Sequence, residues 1–495
     1  MSVATLTQRV ASSSVWLAAN RLLVRAIGLV STLILARLLT PGDFGLVALA
    51  SAFYFVIETL SDFRFEGALL ALQDTEDADY DTAWTMNAAR GMLVAIILII
   101  AAYPYAGLMD NDQLAPLLMV LALIPLLDGF KNPHFIRYEK AFNQRKEFVL
   151  QIAAKISGFA ITLLLALIYR SYWALLAGMI TATATRVALS YVLHPAMPSW
   201  TLASFKRLMN FSGWLMGGQM VTAALGRVQF FLTGAFLPAS AVGFLHVGSE
   251  IANMATTETL APIRRVLLPA LAQRSATSGA HCSAFCVAME VVIGLALPIG
   301  VGISLIAPQL VPLLLGEQWD GAVIVIQFVG VVGSLTAITA MGDTMLISTG
   351  KTRPLFYLEL IKLLYVLPGF WIGIKSAGLN GVLVAWLAIA LISVMVNLEM
   401  LRRHTGVSPF GLLAPCWRSP IAVAVMAAAI LFVKAALPVG GASLLLDVLG
   451  LMLTVLTGAA SYTAAHMLLW RLVGRPEGFE SRAFDILSSI SRRGG

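Results

Sequence analysis

Charge is scarce in this sequence. Only 12% of its 495 residues are Asp, Glu, Lys or Arg, while 59% are hydrophobic. Soluble domains run at about 25% and about 45–50%. No polar stretch is long enough to build a separate water-soluble domain, so enzymes that need a large exposed domain are excluded. Cysteine is nearly absent: Cys282, Cys286 and Cys416 are the full set. An odd number at membrane-edge positions excludes a disulfide framework. His281, Cys282 and Cys286 lack a fourth ligand for a metal site. The six histidines, His134, His194, His246, His281, His404 and His466, are dispersed. No catalytic constellation stands out, and no cofactor is expected. Gly350-Lys351-Thr352 imitates the end of a nucleotide-binding loop, but Met345 stands where that loop needs glycine.

What the sequence has is long apolar runs. Windows near 14–37, 43–61, 86–106, 114–130, 148–169, 172–193, 211–236, 240–261, 284–307, 321–342, 355–374, 379–400, 418–437 and 444–470 each suit a membrane crossing. The fold class is therefore all-α integral membrane, with about fourteen transmembrane helices. Most of the 33 Lys and Arg fall on one side of this layout, against Arg37, Arg170, Lys375 and Lys434 on the other. By the positive-inside rule both termini are expected in the cytoplasm. The net charge of +7 reflects these loops, not a nucleic-acid partner.

The organising stretch is 14–45. It carries Arg21 and Arg25 four residues apart, on one helix face. An arginine at membrane depth costs about 2.5–3.5 kcal/mol, so that face should look into protein or water. At an offset of 198 residues the stretch recurs. Ser14, Trp16, Leu17, Ala26, Gly28, Val30, Leu39 and Gly45 fall on Ser212, Trp214, Leu215, Ala224, Gly226, Val228, Leu237 and Gly243. A fixed offset suggests two homologous halves with a site between them.

The stretch ARLLTPGDFG (36–45) resembles the signature of the polysaccharide transporter family, the Wzx-type flippases of the MOP superfamily that also holds the MATE exporters. Residues 262–274, 310–327 and 348–354, with GLNGV at 378–382, are similar to later segments of that family. The resemblance covers roughly residues 10–400. It implies two six-helix bundles around a central cavity plus an added C-terminal pair. The expected division is 1–200 and 201–410 for the bundles, 411–472 for the pair and 473–495 for a cytoplasmic tail. It further implies a bacterial inner-membrane protein, not an enzyme, that carries undecaprenyl-pyrophosphate-linked oligosaccharide between leaflets. A polysaccharide polymerase and a chain-length regulator are the partners such pathways imply, besides membrane lipid. A lipid II flippase, a MATE-like small-molecule exporter and a membrane polymerase or ligase are the rival readings.

A diphosphate needs cationic counter-charge, which arginine supplies through a planar fork. Arg21, Arg25, Arg90 and Arg227 are the candidates. Glu58, Glu250 and Glu258 are candidates for balancing those charges or carrying a coupling proton. Trp16 and Trp214, with Tyr54 and Phe230, are candidates for stacking on sugar rings or for packing helices. Gly213 with Gly217, and Gly369 with Gly373, carry the spacing of close helix approach.

Overall fold

The computed structural model describes residues 3–63, 65–72, 74–141, 143–209, 225–258, 278–348, 352–405, 408–436 and 444–474. Trp214, Gly213, Gly217 and the 262–274 stretch lie outside them. In chain order the helices are α1 Val3–Leu38, α2 Pro41–Ser61, α3 Phe65–Ala71, α4 Asp77–Leu108, α5 Leu114–Leu121, α6 Leu123–Gly129, α7 Ile136–Lys140, α8 Gln144–Tyr169, α9 Trp173–Leu193, α10 Val228–Phe236 and α11 Ala239–Asn253. There follow α12 Ser278–Leu314, α13 Asp320–Ser348, α14 Thr352–Thr405, α15 Pro409–Leu413, α16 Arg418–Ala436 and α17 Leu444–Leu472. The chain groups into two units, Met1–Gly243 and Phe244–Gly495.

Among the described residues nine helices are long and apolar enough to cross a membrane, or ten with the bent pair Leu114–Gly129 and Pro133–Lys140. Each of the fourteen sequence windows overlaps a helix. The lower count has local causes. Helix α14 holds two windows, α1 carries Arg21, Arg25 and Arg37, and the windows at 211–236 and 240–261 run into residues not described.

In the first unit the family-like stretch 36–45 makes a helix start and a crossing. Thr40, with φ −81° and ψ 159°, caps α2. The Asp43 Oδ2 atom accepts from the Thr40 N–H (2.9 Å) and hydroxyl (2.6 Å), while the Asp43 N–H donates to Thr40 Oγ1 (3.2 Å). Pro41 takes the first helical turn, where its missing N–H costs nothing. The second carboxylate oxygen of Asp43 accepts from the Tyr172 N–H at 3.0 Å and ties the α8–α9 turn to α2.

Gly45 then permits a close crossing. A methyl group there would overlap the Ala239 carbonyl, and one on Gly243 would overlap the Pro41 carbonyl. Ala239 is Pro41 plus 198, and Gly243 is Gly45 plus 198. The two glycines that the internal repeat aligns therefore meet each other in the reciprocal contact of a two-fold pair. Similar close approaches join α4 to α6 through Gly91 and Gly129, and α8 to α9 through Gly158 and Gly178.

The acidic start of α4 folds onto basic partners. Buried Asp79 meets Arg207 at 3.1 Å, Asp81 meets His134 at 3.2 Å, and Asp77 pairs with Arg137. His134 stacks between Tyr80 and His194, with ring centroids 5.1 and 5.7 Å away. Lys146 lies 3.7 Å over the Tyr138 ring, whose edge faces His194.

In the second unit α12 and α13 are sealed by Ser334 donating to the Ala296 carbonyl and Ser304 to the Gln327 carbonyl, both at 2.6 Å. Gly316, at φ 100°, turns the chain into α13, and fully buried Trp319 packs edge-on to Phe244. Helix α14 is broken at Ala377 and Gly378, the latter at φ 57°. Beyond the break its halves close on each other: a methyl on Gly381 would overlap the Gly373 carbonyl, and one on Gly369 would touch Ile389. The Gly369–Gly373 spacing thus serves close approach, as expected. Helices α16 and α17 pack on α12, where the Tyr462 hydroxyl donates to the Gly294 carbonyl at 2.6 Å.

Two outcomes follow. Gly45→Ala and Gly243→Ala should each destabilise the protein by about 1–3 kcal/mol through overpacking. Gly107→Ala, with open space around it, should not; thermal unfolding of purified protein compares the three. Burial, with His134, Arg137 and Lys146 adding to it, holds the His194 imidazole below its ordinary range. The unfolded chain then takes up this proton first as pH falls. Stability from His194 is full above about pH 6.5 and is lost progressively below it. Unfolding temperatures across that range should slope downward on acidification, and His194→Gln should flatten the slope.

Candidate functional site

Polar side chains at membrane depth in the first unit form a compact set. On α2, Tyr54 and Glu58 are one turn apart and share a face. The Arg90 Nη1 atom of α4 donates to Glu58 Oε1 at 2.9 Å, with the two side chains 13% and 22% exposed. Asp128 of α6 lies 3.6 Å from Arg186 of α9. Tyr54 hydrogen-bonds Glu58 and lies near Asp128 and Arg90. Lys131 and Glu66 add a 3.0 Å pair nearby, within range of Arg90 and Arg186. Three acids and three bases make this network neutral as a whole.

The other arginines in this unit sit differently. Arg21 and Arg25 are exposed on α1. Arg227 caps α10, with its guanidinium 4.4 Å above the Phe55 ring and 5.8 Å from the Phe230 ring. A cation over an aromatic face is stabilised without neutralising its charge. The structure thus brings Arg90 and Glu58 together, sets Arg227 against Phe55 of α2, and places Arg21 and Arg25 at exposed positions of α1.

The aromatic candidates are packed. Trp16 meets Phe148 edge-on at 5.1 Å, and Phe230 is 6% exposed. Glu250 is half-buried on α11 in the second unit and makes no ion pair among the described residues. Glu258 ends a π-helical turn, Met254–Glu258, and its side chain lies outside the described set. Asp128 and Arg186 were not among the candidate residues. Their partnership spans 58 residues, which no local spacing reveals. The second unit holds an apolar cavity of about 530 Å³ between α12, α16 and α17, lined by Pro298, Gly302, Met426, Ile430, Tyr462 and His466 among others.

These features define a multi-pass, all-helical membrane protein with charges paired between its helices. The profile described as "Polysaccharide biosynthesis protein" matches residues 34–324, and the chain belongs to that family. It is 22% identical over 402 residues to the lipopolysaccharide biosynthesis protein WzxC of Escherichia coli (strain K12), covering 79% of this chain and 81% of the relative. It is 24% identical over 288 residues to the succinoglycan biosynthesis transport protein ExoT of Rhizobium meliloti (strain 1021), covering 58% of each. Its fold matches the lipid II flippase MurJ in an inward closed conformation, with TM-score 0.72 and 12% identity over 92% of this chain and 99% of that one. It also matches an inward-facing multidrug resistance MATE family transporter of the MOP superfamily, with TM-score 0.52 and 14% identity over 77% and 95%.

Removing one member of a buried ion pair strands the other at a cost of about 3–5 kcal/mol. Arg90→Met alone should therefore cut the yield of folded protein, and adding Glu58→Gln should restore it. Size-exclusion chromatography of tagged protein reads both. A double variant that is folded but inactive would assign the Arg90–Glu58 pair to transport as well as to structure.

Proposed function

We propose that this chain is an inner-membrane flippase. It carries an undecaprenyl-pyrophosphate-linked oligosaccharide repeat unit across the membrane by alternating access, for assembly of an exopolysaccharide, capsule or O-antigen. The observation that carries the reading is the distribution of charge. The network around Glu58 and Arg90 is neutral, and Arg227 at the start of α10 lies over the Phe55 ring, which leaves its positive charge in place. Such charge suits a diphosphate and repels the organic cations of a MATE-like exporter. The names of the relatives, one in lipopolysaccharide and one in succinoglycan biosynthesis, support the substrate class. A lipid II flippase would use the same charges, and the fold shared with MurJ keeps it as the second reading.

In this mechanism the arginines hold the diphosphate while the sugars pass along polar side chains and the isoprenoid chain stays in an apolar phase. No covalent step is required of the protein. Glu58 is engaged by Arg90, so a coupling proton would fall to Glu250 or Glu258. Both termini lie in the cytoplasm, and a polymerase and a chain-length regulator take over the product.

The test is deletion in the native host with re-expression of wild type or of Arg21→Ala with Arg25→Ala at matched levels. A sugar-directed probe that cannot cross the inner membrane reports the leaflet of the lipid-linked oligosaccharide. Inner-leaflet accumulation in the deletion and the double variant, cured by wild type, is expected. No accumulation in the deletion would overturn the flippase reading, and cure by the double variant would remove those two arginines from the site.

A further inference from the structure

Helix α8 carries Glu147, Gln151 and Lys155 at four-residue spacing, which puts them in one stripe. Helix α1 runs alongside in parallel. Trp16 meets Phe148, the Asn20 Nδ2 atom donates to Gln151 Oε1 at 2.9 Å, and Gly28 faces Lys155. The Gln151 amide in turn donates to Glu147 Oε1 at 2.6 Å. The seam is thus a polar ladder that rises from the first turn of α8 and ends on a lysine.

That lysine is unusual in depth and in company. It stands eleven residues into α8, about 16 Å along a helix that must cross about 30 Å of hydrocarbon. An ammonium there costs about 2.5–3.5 kcal/mol. Arg90 has Glu58 beside it, Arg186 has Asp128, and Lys362 has Glu359 at 2.6 Å, while Arg227 lies over the Phe55 ring. Lys155 has no carboxylate within ion-pair distance among the described residues. Its Cε and Nζ atoms instead lie over Gly28, each 3.7 Å from where a Cβ would stand.

A second atom in the seam is also unsatisfied. Asn20 is 6% exposed, and its Oδ1 atom is buried with no hydrogen-bond donor, although its amide nitrogen is used. A cation without an anion and an acceptor without a donor therefore lie on one α1–α8 seam, about 12 Å apart along α1.

We infer that this seam is a binding site for a sugar diphosphate. Lys155 takes the diphosphate and Asn20 Oδ1 takes a sugar hydroxyl. The inference rests on the flippase reading and adds a residue to it. Lysine suits a transit point, because its compact charge holds phosphate without the two-pronged fit that arginine makes.

The test uses the full-length protein in detergent, with undecaprenyl diphosphate as probe, undecaprenol as the uncharged control and phosphatidylglycerol as a competing anionic lipid. Lys155→Gln should weaken binding of the diphosphate about tenfold or more, the worth of a charge-assisted hydrogen bond. Binding of undecaprenol should stay unchanged, the unliganded unfolding temperature should hold or rise, and Lys155→Arg should retain most of the affinity. Gly28→Asp provides a second route that leaves the lysine in place. Its carboxylate would neutralise Lys155, so binding should fall while the unfolding temperature holds or rises. Equal binding by wild type and both variants would overturn the inference and leave the flippase reading standing. The same Lys155 dependence for phosphatidylglycerol would make this a headgroup site and overturn the substrate assignment. Failure of wild type to bind any polyprenyl diphosphate would overturn both the reading and the inference.

Discussion

Inside a bilayer, a polar atom must find its partner within the protein. That constraint governs most of what is seen here. It makes the backbone helical throughout the spans. It explains why Ser304, Ser334 and Tyr462 reach neighbouring carbonyls in place of water. It also explains why Arg90 and Glu58, or Asp128 and Arg186, come from different helices to meet. Where the rule is obeyed, the side chain serves structure. Asn20 Oδ1 is a buried group that departs from the rule.

The segments that carry the family likeness turn out to be devices of folding. In 36–45, Thr40 and Asp43 close a capping box, Pro41 starts the helix and Gly45 opens a crossing. In 310–327, Gly316 supplies a left-handed turn and Trp319 an anchor against Phe244. At 378–382, Gly378 breaks α14 and Gly381 lets its halves touch.

Much of the fold was legible because its signals are local. Apolar windows, glycine spacing and the break before 379 are each read from a few neighbouring residues. The candidate site was legible only in its inventory. The sequence names Arg90 and Glu58 as candidates. It cannot say that they are paired, since they lie 32 residues apart on separate helices. The stripe of Glu147, Gln151 and Lys155 was readable by spacing alone. What made it informative was the missing carboxylate, a property of the packed neighbours. The aromatic candidates failed to stand apart for a similar reason: a ring suited to a sugar is equally suited to a neighbouring ring, and Trp16 found Phe148.

The contact between Gly45 and Gly243 sets a limit on how this chain can change. In an ordinary core contact, growth of one side chain is answered by shrinkage of the other, and lineages drift through such exchanges. Here both partners are already the smallest residue available, and each faces main chain instead of a side chain that could retreat. Neither position holds a compensation for the other. A larger residue at either position would meet backbone that cannot give way, whatever the helices on either side of it carry.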